Sequence, residues 1–225
     1  MDKAKYEKLI NLIMDSEGIS LRGFIEDYKK PKSRATAAKC LMPLGMYKDA
    51  LELLLSINEN DIEDKESWIQ VLSDIGICYS NGFKEFEGAM KYFKMALNIA
   101  EKTDEEYLCI VRGELWGNIL ETLNVLNRKN ELQSEIEEKL RSLDTCGKKY
   151  RYNSYIFYSN YFLALHEDDI KKAKEYLFIA LNNFELRNES ERNELLELSK
   201  DKEQDQYEVF KQMESLIRSS VIWDI

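Results

Sequence analysis

Apolar residues recur along this chain at helical spacing, in paired amphipathic stretches separated by short polar turns. Three stretches, LGMYKDALELLLSI (44–57), FEGAMKYFKMALNIA (86–100) and DIKKAKEYLFIALNNF (169–184), superpose an alanine, an apolar residue four positions later and another three after that. The triplets are Ala50/Leu54/Ile57, Ala89/Phe93/Ala96 and Ala173/Leu177/Ala180. Positions i, i+4 and i+7 share one helix face, so each triplet predicts a buried stripe, and the small first residue lets a neighbouring helix approach. Each triplet marks the second helix of a pair. In the stretch WIQVLSDIGICYSNGF, Trp68, Leu72, Ile75, Gly76 and Tyr79 share a face before an SNGF turn, with Gly76 allowing close packing. A degenerate pair fills the gap between the second and third triplets. Trp116, Ile119, Leu120 and Leu123 form one face, an NRKN turn follows at 127–130, and Leu132, Ile136 and Leu140 form the next stripe. The second helices then recur from Ala50 to Ala89, Leu132 and Ala173, at intervals of 39, 43 and 41 residues.

Composition sharpens this to an all-α expectation. Two prolines and nine glycines in 225 residues leave little material for turns and sheets, and 44% hydrophobic residues supply a core. The lone His166 excludes any mechanism or zinc site needing two imidazoles, and it reads instead as a residue capping a helix C-terminus. Cys40, Cys78, Cys109 and Cys146 are too widely spaced for a metal clip, so no metal and no cofactor is expected. Phosphate-binding glycine loops and a nucleophile elbow are both missing from the sequence. The expectation is a non-enzymatic protein. No apolar run approaches the ~20 residues of a membrane span, so no membrane association and a cytoplasmic location are expected.

The order Trp68, Ile75-Gly76, Tyr79, Ala89, Phe93 and Ala96 resembles the signature of the tetratricopeptide-repeat (TPR) family. Gly45, Tyr47 and Ala50 follow the same order in the first unit, and Tyr161, Ala173 and Ala180 in the fourth. The period exceeds the family's ~34 residues and the proline that ends each unit is missing. In their length and irregularity the units are similar to the repeat domains of peptide-pheromone receptors of Gram-positive bacteria and their phages. The resemblance implies a right-handed superhelical solenoid of antiparallel helix pairs forming one continuous structural domain. N-terminal helices (1–30) would pack on the first repeat, about four TPR-like pairs would follow (31–184), and a capping helix with an apolar tail would close the chain (185–225).

Charge is distributed unevenly. The net charge is −10, yet residues 1–48 sum to +4 and residues 185–225 to −5. Between Tyr28 and Lys48 there is no acid, while Lys29, Lys30, Lys32, Arg34 and Lys39 are cations able to contact nucleic acid or a partner. The segment 18–39 resembles a helix-turn-helix with Ser33-Arg34-Ala35-Thr36 opening a recognition helix, but its turn lacks the usual glycine. An acidic total argues against a general nucleic-acid coat. At the other end, Val209, Met213, Leu216 and Trp223 form the stripe of the capping helix, and the apolar tail is a candidate homodimer contact.

In the repeat register, first helices line a concave groove. The register assigns Gln70 and Asp74 to it from the second unit, Glu114, Asn118, Glu121 and Asn124 from the third, and Tyr155, Tyr158 and Phe162 from the fourth. Amides suit a peptide backbone, carboxylates suit basic groups, and aromatics give rigid contact area. Phe157, Tyr161 and Tyr152 are expected in the core. The carboxylate-clamp pattern of the family is not matched, since the corresponding positions hold Ala35, Lys39, Ser73 and Ile77. The expected function is peptide or protein-segment binding by an adaptor or peptide-sensing regulator. The alternative is a transcription regulator whose basic N-terminal segment contacts DNA or a partner.

Overall fold

Every regular element in the computed structural model is helical among the described residues, which are 3–17, 27–103, 108–144, 153–183 and the isolated positions 208, 211, 212 and 215. The chain divides into two compact units, residues 1–103 and 104–224. The expected capping stripe and tail lie outside the described residues, as do Tyr152 and the part of the helix-turn-helix-like segment before Asp27.

The first unit holds α1 (Lys3–Glu17), α2 (Pro31–Leu41), α3 (Tyr47–Leu55), α4 (Lys65–Ile77) and α5 (Phe86–Glu101). Helix α1 buries Tyr6, Leu9, Ile10 and Ile13, one stripe at helical spacing, against the core that α2, α3 and α4 share. Lys5 adds a surface clasp, with Nζ 2.8 Å from Asp49 and 2.7 Å from Glu52 of α3. Pro31 opens α2 at its first turn, where the missing N–H costs nothing. The helix ends in a Schellman turn in which Met46 N–H donates to Leu41 C=O at 3.0 Å and Gly45 N–H to Met42 C=O at 2.9 Å. Gly45 supplies the left-handed φ of 72° that this turn needs.

Asp64 caps α4 by accepting from Ser67 N–H at 2.6 Å and from Ser67 Oγ at 2.9 Å. That helix runs into a π-helical turn at Cys78–Phe83, closed by Lys84 in the left-handed region and by Glu85 N–H donating to Tyr79 C=O at 2.9 Å. The turn carries the SNGF segment and lies against α3. Gly76 lies flat against the ring of Phe93 on α5, so the close approach expected from its register is present.

The second unit holds α6 (Leu108–Val125), α7 (Lys129–Asp144), α8 (Asn153–His166) and α9 (Ile170–Asn182). Helix α6 also ends in a Schellman turn, with Arg128 N–H to Leu123 C=O at 2.9 Å and Asn127, at φ 56°, to Asn124 C=O at 2.9 Å. Helices α2 and α6 therefore stop by the same device. Helices α6 and α8 meet through Gly113 and Gly117, which leave room for Ser154 and the ring of Tyr158. Trp116 Nε1 donates to Ser159 Oγ at 3.1 Å across the same contact. Lys139 of α7 lies over the rings of Trp116 and Tyr155, 5.2 and 5.1 Å from their centroids. All nine residues of the three triplets are at most 4% exposed, so each stripe predicted by spacing is core.

Candidate functional site

Helix α2 packs against α4, and between them and the loop leading into α4 opens a cleft of about 620 Å³. From α2 it receives Lys32, Ala35, Thr36 and Lys39, whose spacing of 3, 4 and 7 residues puts them on one helix face. From α4 it receives Glu66, Ser67, Gln70 and Val71. The loop between contributes Asp61, Ile62, Glu63 and Asp64, and Pro31 with Lys30 closes the end at the start of α2.

The two sides of this cleft carry opposite charge. Lys30, Lys32 and Lys39 stand on the α2 side with no acid among the lining residues there, and Asp61, Glu63, Asp64 and Glu66 stand on the other. Some of these charges are already engaged. Lys30 lies 3.8 Å from Asp27, Asp61 accepts from Asn58 Nδ2 at 3.1 Å, and Asp64 is occupied by Ser67. The bonds from Ser67, helped by the charge of Lys32, hold the Asp64 carboxyl below its ordinary value. Among the described residues Lys32, Glu63 and Glu66 form no ion pair within 4 Å, leaving one cation and two carboxylates directed at the solvent of the cleft.

Beneath one end lies Asp74, whose side chain is 3% exposed. Gln70 Nε2 donates to its Oδ1 at 2.9 Å, and Lys39 Nζ stands 4.0 Å from its Oδ2. A buried carboxylate needs such compensation, so Lys39 and Gln70 have a structural duty as well as an exposed surface. The charge of Asp74 adds to the effect of burial, which pushes the Cys78 thiol up to about 12.

Of the sequence-predicted residues, the cleft thus brings together Lys30, Lys32, Lys39 and Gln70, with Asp74 just below. Lys29 is exposed beside them. Arg34 points elsewhere: its Nη1 donates to Ser56 C=O at 2.7 Å and Ser56 Oγ at 2.8 Å, closing the C-terminal end of α3.

The remaining predicted residues belong to the second unit. Tyr155, Tyr158 and Phe162 are buried, as are Phe157 and Tyr161, and make ring contacts such as Trp116–Tyr155 at 6.1 Å across to α6 and Tyr161–Phe162 at 5.3 Å within α8. They are core side chains here, because the glycine-lined crossing draws α8 onto α6. Asn118 is buried as well, Glu114 is exposed, and Asn124 Nδ2 donates to Glu121 at 3.0 Å. His166 ends α8 half-buried. Burial first, and Lys129 second, lower its pKa, which favours the uncharged imidazole over a cationic helix cap.

Sequence reasoning missed the acidic side of the cleft. The signal was present: five of the eight residues from Glu59 to Glu66 are acids, about ten residues after the acid-free basic segment ends at Lys48. No family model, curated protein or solved structure matches the chain.

Proposed function

We propose that this protein is a non-enzymatic helical-repeat protein of the TPR type, its helix pairs α2/α3, α4/α5, α6/α7 and α8/α9 being four irregular repeats of a right-handed solenoid. The repeated pairing, the buried alanine triplets and the recurring Schellman turn support that reading. Its function in this account is to bind an extended segment of a peptide or protein partner in the cleft between α2 and α4. The observation that carries it is the meeting in one polar cleft of Lys32, Thr36 and Gln70 with an apolar strip of Ala35, Ile62 and Val71. Such a surface offers donors and acceptors to a main chain and a shallow seat for a small side chain.

Two of the five cations considered for nucleic acid, Arg34 and Lys39, face partners within the unit, which favours a peptide over DNA. The test is retention of peptides from a diverse synthetic library on the immobilised protein, compared with a Lys32→Glu/Thr36→Ala variant. Cleft binding predicts that the variant loses most of the retained peptides. Full retention by the folded variant refutes the assignment.

A further inference from the structure

The opposed charges of the cleft specify a ligand pattern, an inference that rests on the peptide reading above. In an extended chain successive side chains point to opposite sides, and same-side residues recur about every 7 Å. A segment lying between α2 and α4 therefore shows its odd positions to one side and its even positions to the other. The α2 side presents Lys32 and, about 10 Å further along the helix at seven residues of rise, Lys39. Across the cleft stand Glu63 and Glu66, neither of them in an ion pair among the described residues.

We infer that the cleft selects an extended segment of a partner protein in which acidic and basic residues alternate. Acids face Lys32 and Lys39, and bases face Glu63 and Glu66. A segment of the same composition with its charges in two blocks places like charge against like charge on one side at each end, and loses the match. Small side chains at the centre suit the strip formed by Ala35, Ile62 and Val71.

The experiment uses the full chain and three labelled peptides of equal length: one alternating Glu and Lys around a central alanine, one of the same composition with the charges in blocks, and one uncharged. Fluorescence anisotropy at low salt should show the alternating peptide binding about tenfold more tightly than the blocked one, as roughly three matched exposed pairs allow. The preference should shrink between 0.05 and 0.5 M salt, as the screening length contracts to a few ångströms. Lys32→Glu should weaken the alternating peptide several-fold, and Lys32→Glu/Glu66→Lys, which leaves one charge of each sign on either side of the cleft, should remove its preference over the blocked peptide. Circular dichroism shows that each variant is folded. Equal affinity for alternating and blocked peptides overturns the pattern while leaving peptide binding in place, as does failure of both when library peptides still bind in a Lys32-dependent way. If no peptide of any kind binds, the cleft reading falls and the pattern falls with it.

Discussion

Gly76→Ala is the substitution whose sign the structure decides most sharply. An added Cβ at this position falls 2.5, 2.7 and 2.9 Å from three ring atoms of Phe93. Phe93 is fully buried, so the ring has no solvent into which to turn. Forcing a methyl group into packed core costs about 1–3 kcal/mol. Against this, alanine is favoured over glycine inside a helix by about 0.5–1 kcal/mol. The balance is a loss of about 0.5–2 kcal/mol, or a melting temperature lower by roughly 4–8 °C per kcal/mol for a unit of this size. Urea unfolding followed by circular dichroism measures it. Phe93→Leu in the same background vacates the space, so the double variant should be less destabilised than the two single changes added together, by about 0.5–2 kcal/mol of coupling. A Gly76→Ala protein that gains stability, as helix propensity alone dictates, would show that α4 and α5 do not approach as described.

Other consequences are open to measurement. Gly45→Ala meets no atom within 4 Å but must hold φ near 72°, so it should cost about 1–2 kcal/mol from backbone conformation alone, whereas Asn127→Gly in the equivalent turn should be neutral or stabilising; chemical unfolding distinguishes the two. Asp64→Ala should cost about 1 kcal/mol at neutral pH through loss of the α4 cap, and Asp64→Asn should keep most of it. Because the folded Asp64 pKa is lowered, its contribution is full above the ordinary value of 3.8 and is lost as pH falls through the folded value, so an acid titration of stability should be shallower below pH 4 in Asp64→Asn. His166 also has a lowered pKa, so unfolding takes up a proton and stability should decline as pH falls through and below 6.5; His166→Gln should flatten that limb, and an unchanged slope would refute the burial argument.

The contrast between legible and illegible features follows from how each residue meets its surroundings. The triplets could be read because α3, α5 and α9 are amphipathic: Ala89, Phe93 and Ala96 stand against polar neighbours such as Lys91 and Lys94, so period alone separates inside from outside. Helix α8 is different. In NSYIFYSNYFLALH apolar and aromatic residues surround the helix, so no face stands out, and which tyrosines are covered depends on where α6 crosses. The crossing is set by Gly113 and Gly117, whose meaning emerges only once Ser154 and Tyr158 are seen opposite them.

The cleft divides in the same way. Lys32 and Lys39 were visible as a local excess of cations, and Gln70 from the repeat register. Glu63 and Glu66 sit in and just after a loop with no period of their own, and their opposition to Lys32 arises from the packing of α2 on α4, a tertiary fact. Arg34 shows the converse: in sequence it is one more cation, in the structure it closes a helix end through Ser56.

Backbone amide chemical shifts recorded while the alternating-charge peptide is titrated into the full chain test the central claim most directly. The account predicts saturable perturbations centred on Lys32, Thr36, Ser67 and Gln70, with saturation in Lys32→Glu requiring several-fold more peptide. Perturbations confined to residues of the second unit, or none at any peptide concentration, would contradict it.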